Sequence, residues 1–279
     1  MQPVTRFAPS PTGRLHLGHA YSALLAHDHA REREGSFLLR IEDIDPGRAR
    51  SEYVDGIIED MLWLGLEWDD EITYQSERLD RYAAALERLK AAGMLYPCFC
   101  TRADIAASVA APHGPEGLLY PGTCRGLTAP DLSRPHAWRL DVAKAVAQTG
   151  PLGWTDHGVA VAAAPETLGD VVLARKDAPA SYHLAVTLDD ADQGVSDIVR
   201  GRDLFASTHI HRLLQALLEL PVPDYHHHGL LADEKGVRLA KRLAAPSLAL
   251  LRAGGMDPAA LVAGLRRGEL PAGYSLPQA

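Results

Sequence analysis

The chain has 279 residues, 47% hydrophobic and 23% charged, a balance that supports a packed core and excludes a disordered or fibrous polypeptide. Its 28 Lys+Arg against 36 Asp+Glu give a net charge of −8, so a nucleic-acid partner has to be held by a local basic patch rather than by the molecule as a whole. No apolar run approaches the roughly 18 residues of a membrane span, and residues 1–7 lack the basic and apolar regions of a leader, so a cytoplasmic protein with no membrane partner is expected.

Residues 3–9 read as a short strand that ends in Pro9-Ser10-Pro11-Thr12-Gly13, and residues 16–34 read as a helix closed by Gly35. Residues 36–41 form a compact strand. Ser51 then caps a helix whose apolar pairs Tyr53/Val54, Ile57/Ile58 and Met61/Leu62 recur every four residues until Gly65. A third helix carries Leu79, Tyr82, Ala83, Leu86 and Leu89 on one face and stops at Gly93. Strands alternating with helices of this length predict an α/β fold with a parallel sheet. From residue 98 to about 179 the pattern breaks into short pieces rich in Pro, Gly and Ala, which reads as an insertion. Regular structure returns at residues 182–188 and 196–200 to complete the sheet. A helix follows with Ile210, Leu213, Leu214, Leu217 and Leu218 on one stripe, ended by Pro221. The expected organisation is therefore residues 1–97 and 181–242 as two halves of one domain, 98–180 as an inserted subdomain, and 243–279 as a short C-terminal segment. That last segment has room for two helices near 247–253 and 258–266.

The run Arg6-Phe7-Ala8-Pro9-Ser10-Pro11-Thr12-Gly13-Arg14-Leu15-His16-Leu17-Gly18-His19 feeds a strand through a Gly/Pro-rich turn into a helix N-terminus, whose free N–H groups and positive dipole suit a phosphate. His16 and His19, three apart, fall on one side of such a helix, and Gly18 lets a planar ligand approach the backbone. An isolated H-x-x-H could equally cap the helix or hold a metal; the preceding turn favours the anion site. Three cysteines argue against a disulfide framework. Cys98-Phe99-Cys100 with Cys124 is three-quarters of a zinc set, and buried reduced thiols are the other reading.

Residues 6–19 resemble the opening motif of the class I aminoacyl-tRNA synthetases, in particular the glutamyl branch. The resemblance implies a Rossmann-like catalytic domain in which His16-Leu17-Gly18-His19 stands at the HIGH position and binds ATP accompanied by Mg²⁺. Far downstream, Arg238-Leu239-Ala240-Lys241-Arg242 looks like a degenerate KMSKS loop that keeps the second Lys and loses the first Lys and the Ser. His16, His19 and Lys241 are then the expected catalytic set, stabilising charge on the phosphates. A substrate with two carboxylates and one ammonium needs two cations and one anion. Arg6, Glu42 and Arg200, each at a strand end, supply them, where ligands of open parallel sheets bind. The resemblance adds Ser10 and Tyr182 to this L-glutamate set. The other reading of Arg40-Ile41-Glu42-Asp43-Ile44-Asp45 is a strand-end cluster of structural salt bridges. In bacterial members of the glutamyl group a Tyr near the last Cys completes a zinc site, which makes Tyr120 the expected fourth ligand beside Cys98, Cys100 and Cys124, with His113 as the alternative.

Only 37 residues follow Arg242 (279 − 242), too few for the anticodon-reading domains of a glutamyl-tRNA synthetase. The chain resembles instead the shortened paralogue family, the glutamyl-queuosine tRNA(Asp) synthetases. The implied activity is tRNA-independent formation of glutamyl-adenylate and transfer of glutamate to queuosine in the anticodon stem-loop of tRNA(Asp). A compact glutamyl-tRNA synthetase charging a 3′ end, and a non-catalytic paralogue binding ATP or amino acid, are the alternatives. His226-His227-His228 reads as surface or edge histidines on a strand, Arg266-Arg267 as a solvated helix face or a contact to RNA phosphate, and the chain as a monomer.

Overall fold

The computed structural model describes residues 2–101, 103–105, 119–233, 246–271 and 274–275. The first half runs β1 (Val4–Phe7), α1 (Leu17–Arg31), β2 (Ser36–Ile41), α2 (Ser51–Trp63), β3 (Thr73–Tyr74), α3 (Leu79–Ala91) and β4 (Leu95–Cys98). The middle contributes β5 (Ala137–Leu140), α4 (Val142–Thr149), β6 (Gly153–Asp156), β7 (Val159–Ala162) and β8 (Val172–Ala174). The remainder is α5 (Tyr182–Asp192), β9 (Asp197–Gly201), α6 (Phe205–Leu218), β10 (Asp224–His228), β11 (Ala232–Asp233), α7 (Leu248–Ala253), α8 (Pro258–Arg266) and β12 (Tyr274–Ser275). Among the described residues no helix is long and apolar enough to cross a membrane.

Strands β1, β2 and β3 pair in parallel, and so do β9, β10 and β6, with β7 antiparallel on the outer side of β6. The two blocks meet at a seam between β1 and β9, where Ser196 N donates to Val4 O at 3.0 Å and Val4 N donates to Ser196 Oγ at 2.9 Å. Helix α1 lies across that seam, against both β1 and β9. Its buried face is built from Leu17, Ala20, Ala23, Leu24, Ala26 and Ala30, and the run of alanines lets the helix axis approach the sheet closely. Burying leucines such as Leu17 and Leu24 contributes about 1.5–3 kcal/mol each. One core joins α1 to β1, β2, α2 and the C-terminal helices through Phe37, Leu39, Ile57, Met61, Leu248 and Leu261. A second core, with Tyr82, Leu86, Leu184, Ile210 and Leu214, packs α3, α5 and α6 together.

Several local readings change. Ser51 is the first helical residue of α2, and Arg50 holds the cap position in an extended conformation without a side-chain cap. The segment beginning at Tyr182 is a helix, not a strand, so of the two returning pieces only Asp197–Gly201 joins the sheet. Of the strands within residues 98–180, β5 and β8 join β4 (Leu95–Cys98), which begins before that segment, in a separate antiparallel sheet, whereas the β6–β7 hairpin hydrogen-bonds into the main one. Strand β10 is interior, between β6 and β9, with His227 buried, so His226-His227-His228 is not an edge. Arg266 is tied to Asp28 by two hydrogen bonds of 2.8 and 2.7 Å instead of being merely solvated.

Candidate active site

Residues that follow the C-terminal ends of β1 and β2 face the start of α5 across a cleft of about 360 Å³, lined by Ser10, Thr12, Glu42, Gln75 and Tyr182 among others. Ser10, Glu42 and Tyr182, from three separate parts of the sequence, are therefore brought to one cavity. Arg200, near the end of β9, is not among the lining residues but stands directly behind one of them: Arg200 Nη1 donates to the Tyr182 hydroxyl at 3.4 Å. Burial pushes the Tyr182 hydroxyl up to about 12, opposed by the charges of Arg200 and Arg6, so it stays protonated.

The two arginines differ in their partners. Arg6 Nε donates to Asp190 Oδ1 at 2.9 Å, and Arg40 Nη1 donates to the same oxygen at 2.9 Å. Although buried, Asp190 is held below the usual carboxylate range by these two guanidiniums. Arg200 is 4% exposed and donates to Thr208 Oγ1 at 2.6 Å, His227 Nε2 at 3.2 Å and Leu204 O at 3.2 Å. Its imidazole neighbours are neutral, since burial and then the nearby guanidinium push His183 down to about 4 and His211 well below its ordinary value. Among the described residues no carboxylate lies within 4.0 Å of Arg200. A buried guanidinium surrounded by neutral acceptors is a built receptor for an anion. Glu42 supplies the opposite sign: burial pushes its carboxyl up to about 7 against the pull of Arg40 and Arg6, with Arg40 Nη2 3.7 Å away.

After the Pro/Gly-rich turn that supplies Ser10 and Thr12, His16 is the N-cap of α1. Its Nδ1 accepts from Gly18 N at 3.1 Å, and His19 Nδ1 accepts from His16 N at 3.2 Å. Both rings thus cap the helix reciprocally, with centroids 3.9 Å apart. Because each Nδ1 is an acceptor, the proton of each neutral ring sits on Nε2, the tautomer that can donate to an anion. A Cβ on Gly18 would come within 3.0 Å of His16 Cε1, so the glycine also leaves room for this ring. Ser247, the N-cap of α7, bridges backbone to backbone with His16, and Leu248 N donates to Leu15 O at 2.8 Å. Lys241 and the rest of 238–242 lie outside the described residues, as does His113.

Sequence reasoning missed Asp189 and Asp190; Arg40 was read only as part of a salt-bridge cluster, and it does pair with Glu42 and with Asp190. Asp189 accepts from Arg78 Nε, Gln75 Nε2 and Tyr82 OH at 2.7, 2.8 and 2.9 Å, forming a buried polar floor beneath the cleft. The available signal was Leu188-Asp189-Asp190 itself, two acids on the buried side of a helix.

The cysteine cluster converges. Cys100 Sγ is 3.6 Å from Cys124 Sγ, and Tyr120 Oη is 3.4 Å from Cys98 Sγ and 3.6 Å from Cys100 Sγ. Tetrahedral ligands at ordinary zinc–sulfur and zinc–oxygen distances stand about 3.8 Å (S to S) and about 3.5 Å (S to O) apart. The four donors therefore fit a zinc ion.

Residues 2–274 match the family described as tRNA synthetases class I (E and Q), catalytic domain. The chain is 49% identical over 271 residues to a Glutamyl-Q tRNA(Asp) synthetase of Rhodobacter capsulatus, covering 92% of this chain and 97% of the relative. It is 44% identical to one from Symbiobacterium thermophilum, covering 92% and 83%. Its structure resembles a glutamate tRNA ligase of Elizabethkingia meningosepticum solved with its amino acid. The TM-score is 0.71 at 26% identity, over 88% of this chain and 53% of the ligase, so the chain spans about half the length of that protein. The chain belongs to the catalytic-domain family of the class I tRNA synthetases of the E and Q type, a family of ligases.

Proposed function

We propose that this enzyme activates L-glutamate with ATP, without requiring tRNA, and passes the glutamyl group to queuosine in the anticodon loop of tRNA(Asp). The observation that carries the amino-acid half is Arg200, a buried cation with neutral protein partners at the edge of a cleft that also holds an acid, Glu42. A guanidinium so placed grips a carboxylate in a bidentate fork, which an amide cannot reciprocate, and so favours glutamate over glutamine. Glu42 takes the ammonium, and the Tyr182 and Ser10 hydroxyls complete the polar wall. Arg6, tied to Asp190, contributes its charge from behind rather than as the main ligand.

The glutamate α-carboxylate attacks the α-phosphorus of ATP and pyrophosphate leaves, so negative charge grows on the phosphates. Nε2–H donors of His16 and His19, with Lys241, act on that charge, which is greatest in the transition state. Mg²⁺ accompanies the nucleotide and neutralises part of its charge. A hydroxyl of the modified base then attacks the adenylate carbonyl, forming the ester and releasing AMP. Cys98, Cys100, Tyr120 and Cys124 would hold one structural zinc beside the β4–β5–β8 sheet. The choice of queuosine tRNA(Asp) over a 3′ end is supported by relatives of that name at 49% and 44% identity.

Incubation with ATP and radiolabelled glutamate tests this directly. Label is expected on tRNA(Asp) carrying queuosine and not on unmodified tRNA(Asp) or tRNA(Glu), and pyrophosphate exchange is expected with glutamate alone. Label on tRNA(Glu) would convert the reading to 3′-end charging, and no exchange at all would reduce the chain to a binding paralogue.

A further inference from the structure

About 20 Å from His16 along α1, taking 13 residues at the helical rise, a second group of metal-ligating side chains meets at the other end of the β1–β9 seam. His29, in the last turn of α1, and His226, in β10, both direct Nε2 at one oxygen of Asp197, the first residue of β9: the distances to Oδ1 are 3.1 and 2.9 Å. The two rings stand 4.4 Å apart between centroids, and all three donor atoms lie within 4.8 Å of one another. Donors at about 2.1 Å from a common ion and at right angles to each other are about 3.0 Å apart, which is the spacing of both nitrogen–oxygen pairs.

The surroundings fit as well. The other oxygen, Asp197 Oδ2, accepts from Ser196 Oγ at 2.8 Å, and that same Ser196 Oγ accepts from Val4 N, so the carboxylate is oriented by the seam itself. The three side chains are 15–19% exposed, buried enough to be ordered, and His29 and His226 line a groove of about 810 Å³ that gives an ion a route in. His157 packs edge-on against His226 at 5.4 Å, with its Nε2 engaged with His227 O at 3.0 Å.

We propose that His29, Asp197 and His226 form a binding site for a borderline divalent transition ion of the Zn²⁺, Co²⁺ or Ni²⁺ class, separate from the cysteine cluster. Two imidazoles and one carboxylate select such ions over Mg²⁺ or Ca²⁺, which take all-oxygen shells. An ion there ties the C-terminal turn of α1 to β9 and β10, and so pins the end of the helix opposite the one that carries His16.

Untagged, metal-stripped protein titrated with Co²⁺ at micromolar free ion tests this. The wild type is expected to bind a first equivalent with thiolate-to-cobalt charge transfer, from the cysteines, and a second with only weak ligand-field bands. His29→Gln and His226→Gln, each keeping a polar side chain of similar size, are expected to lose the second equivalent and retain the first, while His136→Gln, a half-buried imidazole outside the cluster, keeps both. The retained charge-transfer band also reports that each variant is folded. A wild type that takes up no cobalt beyond the thiolate-bound equivalent, or two variants that still bind the second, would overturn the proposal.

Discussion

On the proposed reading, substrate choice turns on Arg200. Nothing in its local sequence, Ile198-Val199-Arg200-Gly201, shows that its neighbours are all neutral; only its place near a strand end was legible. Arg200→Lys keeps the charge and loses the fork, and is expected to raise KM for glutamate in pyrophosphate exchange by about 100-fold, roughly 2.7 kcal/mol, with a smaller change in kcat. Asp190 was illegible for a related reason: its partner Arg6 lies 184 residues away in sequence, and an acid on a helix ordinarily reads as solvated. Glu42 gives a pH dependence of definite sign. Its folded value is raised above the ordinary carboxyl value, so between about 4.5 and about 7 the folded protein binds more protons than the unfolded one, and this contribution to stability declines as pH rises through that window. Glu42→Gln is expected to flatten that part of a melting-temperature profile. If Glu42 holds the ammonium, wild-type KM for glutamate climbs as pH falls below about 7, and the Gln variant shows a weak, pH-independent KM.

Helices and strands show how far pattern reading carries. The loop-to-helix turn that starts α1 was visible in Pro9-Ser10-Pro11-Thr12-Gly13, because Pro and Gly restrict or release the backbone in known ways. The segment read near 258–266 is α8 (Pro258–Arg266), where the structure shows Asp257 as the cap and Pro258 in the first turn. What could not be read was that the four-residue strands β6 and β7 belong to the main sheet, since so short a run carries no long-range information. At the start of α1, His16 combines two duties that substitution can separate. His16→Asn preserves an N-cap acceptor, so its melting temperature should stay close to wild type while pyrophosphate exchange falls at least about 100-fold. His16→Ala should lose about 1 kcal/mol of stability as well. Comparing the two by thermal melts and exchange assays isolates the chemical role from the capping role.

Across the whole molecule, the cysteine cluster sits at the end of the β4–β5–β8 sheet, where Cys98 closes β4 and Tyr120 and Cys124 arrive from the chain beyond it. Metal binding in such a small, loop-rich region is folding free energy. Cys124→Ser is expected to reduce bound zinc by about one equivalent relative to the wild type, and a strong chelator to remove it altogether, each lowering the melting temperature by several degrees, measured by elemental analysis and calorimetry. The seam between β1 and β9 has a wider consequence. One side of the cleft is written in the first 75 residues and the other from residue 175 onward, so neither stretch owns a pocket. A chain still emerging from the ribosome, or one cut within the intervening segment with its pieces apart, holds cationic and acidic fragments with no cavity between them. On the proposed reading, amino-acid recognition is switched on only when the last of the sheet closes against the first.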